Sequence, residues 1–152
     1  ARKRLRSMDV RRLRQTSDDS FAGAIRMALG ALFLMTGVMK LAVPMLGEAF
    51  SGQLVASGIP MVWLAKWVVP IVEIAAGLAL LVGTVTRIVA FVIIGIMSVA
   101  AYVHLVVDDP SMFPLQPNEP VVPLAVMAMA AYLVWRGGGS GSVDLRDCPR
   151  DG

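Results

Sequence analysis

Five ionisable side chains lie within or beside long apolar runs: Arg26, Lys40, Lys66, Glu73 and His104. Glu73 is the most demanding of them. It stands at the centre of VWLAKWVVPIVEIAAGLALLVG, residues 62–83, a run long enough to cross the roughly 30 Å hydrocarbon core of a bilayer. A carboxylate facing lipid at that depth is costly, so Glu73 must face other helices, hold a partner or stay protonated. The chemistry open to such a group is to accept or relay a proton. The chemistry open to amines and an imidazole nearby is to attract an anion or to donate a hydrogen bond to a carbonyl.

Spacing sets which of these groups can meet. Lys66 and Glu73 are seven residues apart, about 10 Å along one helix at 1.5 Å per residue, and share nearly the same face. If the first span ascends, Lys40 lies in its outer turn and Arg26 near its inner end. An ascending third span puts His104 in its outer turn. Lys40, Lys66 and His104 are therefore expected above Glu73 as a substrate-binding set, with Glu73 as the proton-handling residue. Plainer roles stand beside these. Long cationic side chains near helix ends commonly snorkel to the interface; His104 alone suits an interfacial hydrogen bond; Glu73 also suits a structural pairing with Lys66 or Arg26.

The elements that must position these groups are membrane helices. Of 152 residues, 57% are hydrophobic and 16% charged, too little charged surface for a soluble domain of this length. The expected architecture is all-α: an integral membrane four-helix bundle over residues 21–136, with spans at about 21–43, 62–83, 88–107 and 121–135. A short interfacial helix is expected between the first and second spans, where Leu46, Phe50, Leu54 and Val55 recur at helical spacing. The first run exceeds the apolar region of a secretory signal and passes through Lys40 into Pro44 without a small-x-small cleavage site, so it is expected to remain as a span. The fourth is short, which calls for a thin part of the bundle or for snorkelling by Arg136. Residues 1–20 form a basic cytosolic segment and residues 137–152 a flexible polar tail.

Seven of the fourteen Lys and Arg residues precede the first span; Arg87 lies in the turn between the second and third, and Arg136, Arg146 and Arg150 follow the fourth. Both termini are thus expected in the cytoplasm of a bacterium, with the chain in its inner membrane. The basic segment suits anionic headgroups better than nucleic acid. The single cysteine, Cys148, can form no internal disulfide and no cysteine metal cluster. One histidine cannot supply a bis-histidine haem, and no metal site is expected. No hydrolytic triad is apparent.

Several segments carry a family resemblance: RMALGALFLMTGVMKLA from Arg26, a Gly-Pro linker, VVPIVEIAAGLALLVGTVTR, HLVV before a polar loop, and RGGGSGSVDL. Together they resemble the DoxX-like family of small four-helix bacterial membrane proteins, over roughly residues 21–145. The most specific parts are G-x-x-K-L at Gly37 to Leu41 and E-x-x-x-G-L-x-L-L-x-G at Glu73 to Gly83; S-x-D at Ser142 to Asp144 also fits. The resemblance implies recurring polar positions at Arg26, Lys40, Glu73 and Asp144. It also implies likeness to the small subunits of thiosulfate:quinone oxidoreductases, and hence a quinone-linked redox subunit working with other membrane protein subunits. A noncatalytic accessory subunit of a larger respiratory or photosynthetic complex is the alternative.

Overall fold

The computed structural model describes residues 16–107 and 120–146. Its helices are α1 (Ser20–Ala42), α2 (Pro44–Ala56), α3 (Val62–Val82), α4 (Thr86–Val106), α5 (Val121–Arg136) and the single turn α6 (Val143–Arg146). Local chemistry sets their ends. The Asp19 carboxylate accepts the Phe21 N–H at 2.9 Å and caps α1. Val43, in front of Pro44, is extended at φ −108° and stops α1, because a residue before proline is pushed out of the helical region. Pro44 then opens α2, where its missing N–H is no loss. Gly83, at φ 76°, closes α3, and Gly137, at φ 86°, closes α5, conformations that glycine alone adopts without penalty.

Helices α1, α3 and α4 are long and apolar enough to cross a membrane, and α5 is a shorter apolar helix of 16 residues, about 24 Å at 1.5 Å per residue. α1 lies antiparallel along α3, and α4 along α5. Lighter contacts of α1 with α5 and of α3 with α4 join the two pairs. The outward faces are apolar, with Phe91, Leu105, Ile71 and Leu78 exposed, as lipid-facing surfaces require. Trp63 and Trp67 stand exposed at the start of α3 and Trp135 at the end of α5.

The core is lopsided. Leu29, Phe33, Leu80, Ile93, Ala130 and Leu133 belong to one buried cluster toward the end that carries Ser20 and Arg136. At the opposite end, Val103 and Val107 pack with Ile59 in a much smaller cluster. α2 lies at that thinner end, between α1 and α3.

The carboxyl-terminal segment differs from the expected flexible tail. Gly137, Gly138 and Gly139 are buried and Ser142 and Asp144 are almost fully so. The chain turns back after α5 and plugs the terminal end of the bundle. A run of glycines has the composition of a linker, but here the missing side chains admit backbone into tight space. A Cβ on Gly139 would stand 2.4 Å from the Gly23 nitrogen and 2.5 Å from the Asp19 oxygen. At the end of α5 the Arg136 guanidinium meets Asp19 at 2.9 Å. The basic segment through residue 15, the acidic loop 108–119 and Cys148 lie outside the described residues.

Candidate functional site

The mid-span carboxylate is placed by glycine contacts between α1 and α3. A Cβ on Gly77 would come within 2.5 Å of the Leu34 nitrogen, and one on Gly37 within 2.8 Å of the Pro70 oxygen and 3.1 Å of Glu73 Cβ. Small residues at these positions let the two backbones touch, the usual device of membrane helix pairs. Lys40 is one turn beyond Gly37. Its Nζ donates to both carboxylate oxygens of Glu73, at 2.6 and 2.8 Å. Glu73 is 2% exposed and the Lys40 side chain 23%, so the pair is sealed on the acid's side and partly open on the amine's.

Helix direction explains why Lys40 is the partner. Every Cα–Cβ bond tilts toward its helix's amino terminus. On antiparallel helices, Lys40 near the end of α1 and Glu73 in the middle of α3 therefore lean toward each other. Lys66 leans away from Glu73 despite sharing its face. It is exposed, with Nζ 5.7 Å from the Trp67 ring centroid. Arg26 leans toward the termini. The structure thus pairs Glu73 with Lys40 and with neither Lys66 nor Arg26. His104 is buried in the last turn of α4, at the same end as Lys40.

α2 roofs the pair. Lys40 Nζ lies 4.5 Å from the Phe50 ring centroid, a cation–π arrangement. A Cβ at Gly47 would stand 2.7 Å from the Lys40 oxygen, so only glycine lets α2 settle this close to the end of α1. Bonded to Glu73 and set against the Phe50 ring, the ammonium is held between α1, α3 and α2.

Arg26, expected as an ion-pairing residue, does something else. Its Nε donates to the Gly138 oxygen at 2.8 Å, and its terminal nitrogens donate to the Leu80, Leu81 and Ser140 oxygens. It is 2% exposed. The guanidinium satisfies carbonyls that the end of α3 leaves without helical partners and ties them to the returning loop; Asp144 adds electrostatic attraction from nearby. Asp144 itself accepts the N–H groups of Val85 and Thr86, both at 2.9 Å, while its own N–H donates to the Gly83 oxygen at 3.0 Å. Val85 sits at φ 46°, an unfavourable conformation for a β-branched residue. The Asp144 carboxylate holds it there and caps the amino terminus of α4.

Asp19 completes this end. One carboxylate oxygen caps α1; the other accepts from Tyr132 Oη and Arg136 Nε, each at 3.0 Å. The Tyr132 hydrogen bond, helped by Arg136 and the two cap amides, holds the Asp19 carboxyl below the usual aspartate range against the opposing pull of desolvation. Sequence reasoning passed over Asp19 and Tyr132. The signal for Asp19 was present as an aspartate just before the apolar run of α1, an N-cap position; nothing local signals Tyr132. Among the described residues no three His, Cys, Asp or Glu side chains gather as a metal-binding set.

A family model described as DoxX matches residues 21–105. No curated protein and no solved structure matches the chain. The matched stretch contains Arg26, Lys40, Glu73 and His104, whereas Tyr132, Arg136 and Asp144 lie beyond it.

Proposed function

The chain belongs to the DoxX family, and from that premise we propose that this membrane protein serves as an integral subunit of a quinone-linked redox system. The observation that carries this reading is the Lys40–Glu73 pair, with Glu73 2% exposed and Lys40 Nζ within 2.8 Å of both its oxygens. A quinone needs apolar walls and one or two polar contacts. The thinner end of the bundle offers the walls, and Lys40 offers the N–H for a carbonyl oxygen. A bound quinone would be reduced with electrons from a partner redox subunit and protons from solvent, and Glu73, in contact with the ammonium, would relay one of those protons. His104, buried at the same end, is the candidate for a second polar contact, and exposed Lys66 for attracting an anionic partner. The distribution of Lys and Arg supports an orientation with both termini in the cytoplasm of a bacterial inner membrane.

A second reading has its own support: both oxygens of Glu73 are already engaged by Lys40, as a purely structural pair would have them. The chain is then a noncatalytic accessory subunit that packs within a larger respiratory or photosynthetic complex. Purification in mild detergent separates the two, with mass analysis of copurifying proteins and extracted quinones. Copurified quinone that is lost in Glu73→Gln and Lys40→Ala supports the redox site. A larger complex that stays intact and active with both substitutions overturns it in favour of the scaffold.

A further inference from the structure

A polar concavity lies at the end of the bundle that carries Ser20 and Arg136, away from Lys40 and Glu73. It is an open cleft of about 400 Å³ lined by Thr16, Ser17, Arg87, Trp135 and Arg136. Two guanidiniums, two hydroxyl side chains and one indole border it. From this lining we infer that the cleft binds the phosphate of an anionic phospholipid headgroup in the leaflet on the side of the termini.

Arg87 carries most of the argument. Its Nη2 donates to the Trp135 oxygen at 3.2 Å, which fixes the side chain along the wall of the cleft. Its Nε is shielded from solvent and has no hydrogen-bond partner among the described residues. A charged N–H left in that condition is unfavourable, and an anion in the cleft would draw the guanidinium round to present Nε and one terminal nitrogen together. That fork matches two oxygens of one phosphate. Arg136 has its Nε and Nη2 on Asp19, so its charge is largely balanced and Arg87 supplies the net positive field. Ser17 is tied to the end of α5 by bonds from its N–H and Oγ to the Arg136 oxygen, both at 3.4 Å. Thr16 Oγ1 accepts the Gly139 N–H at 2.9 Å. These ties place both hydroxyls on the rim.

Depth makes the phosphate a lipid's. Arg87 is in the first turn of α4 and Trp135 in the last turn of α5, both ends of apolar helices. Trp135 is 70% exposed. An exposed tryptophan at a span's end lies among headgroups, and arginines at that depth meet anionic lipid as their most abundant counter-charge.

The test is native mass spectrometry of the full chain released from detergent, titrated with phosphatidylglycerol, phosphatidylcholine or inorganic phosphate. The wild type is expected to retain phosphatidylglycerol but not phosphatidylcholine. Arg87→Gln should bind phosphatidylglycerol about tenfold more weakly, the loss of one charge-assisted bidentate contact. Arg146→Gln, exposed and outside the cleft lining, should bind as wild type. If Arg87→Gln is not monodisperse, Arg87→Lys serves instead: it keeps the charge, loses the fork and should bind several-fold more weakly. Undiminished binding in the Arg87 variant would overturn the proposal, because the basic residues before Thr16 would then account for it. Equal retention of phosphatidylcholine would overturn it in favour of acyl-chain packing. Arg87-dependent binding of inorganic phosphate as tight as that of the lipid would make this a free-anion site instead.

Discussion

Glu73 and Asp144 are both 2% exposed carboxylates, and they are held in opposite ways. Asp144 takes two backbone N–H groups at the mouth of α4 and returns its own N–H to Gly83. At the same end Arg26, Asp19, Tyr132 and Arg136 make further bonds, so that the beginnings and ends of four helices are joined. Glu73 relies on one flexible amine that is itself partly exposed. Backbone amides cannot swing away or change protonation, whereas a lysine can do both. The terminal end is therefore built to stay as it is. The mid-span pair is built so that one movement, of Lys40, changes the charge environment of a buried acid. That contrast is why the proposed proton handling is assigned to Glu73 and a scaffold role to Asp144.

The contrast breaks most severely at Arg26. Arg26→Ala leaves the carbonyls of Leu80, Leu81, Gly138 and Ser140 without their donor and is expected to destabilise the protein by about 3–5 kcal/mol, the scale for removing one member of a buried charged network. Thermal aggregation in detergent would read this, and a wild-type midpoint would show the terminal network to be dispensable.

Lys40 sharpens it from the other side. Lys40→Ala strands Glu73 and should cost about 3 kcal/mol as long as the acid remains ionised. Adding Glu73→Leu removes the stranded charge, and the double variant Lys40→Ala with Glu73→Leu should recover much of the loss, because an uncompensated buried charge costs more than the pair contributes against apolar replacements. The same thermal measurement on single and double variants gives the coupling. A double variant as unstable as Lys40→Ala alone would make the mid-span pair a structural element like Asp144.

The smallest effect concerns Asp19. Its carboxyl is held below the ordinary range, so its contribution is present above the unfolded value, about 3.9, and is lost as pH falls through the lower folded value. Acidifying from about pH 5 to pH 3 should therefore lower the midpoint of the wild type slightly more than that of Asp19→Asn. Identical pH profiles would mean that Tyr132 and Arg136 do not hold the ionised form.

The membrane helices and the identity of Glu73 as the residue needing a partner were legible in the sequence, because apolar length and one mid-run carboxylate are local facts. The partner was not legible from face sharing. Lys66 has the right face and the wrong lean, and the choice of Lys40 depends on the antiparallel contact that Gly37 and Gly77 permit. The glycine run after α5 was misleading for a different physical reason. Composition cannot distinguish a glycine that gives freedom from one that gives clearance. Only the docking of Gly139 against Asp19 and Gly23 decides between them, and that contact spans more than a hundred residues of chain.

That span has a consequence for biosynthesis. Arg26 and the end of α3 are made early, but Gly138, Ser140 and Asp144 leave the ribosome only after α5. Until then a guanidinium inside the first helix and the left-handed turn at Val85 stand open at the membrane surface. A chain cut short before residue 138 leaves Arg26 without the Gly138 and Ser140 carbonyls, and Val85 and Thr86 without the Asp144 carboxylate.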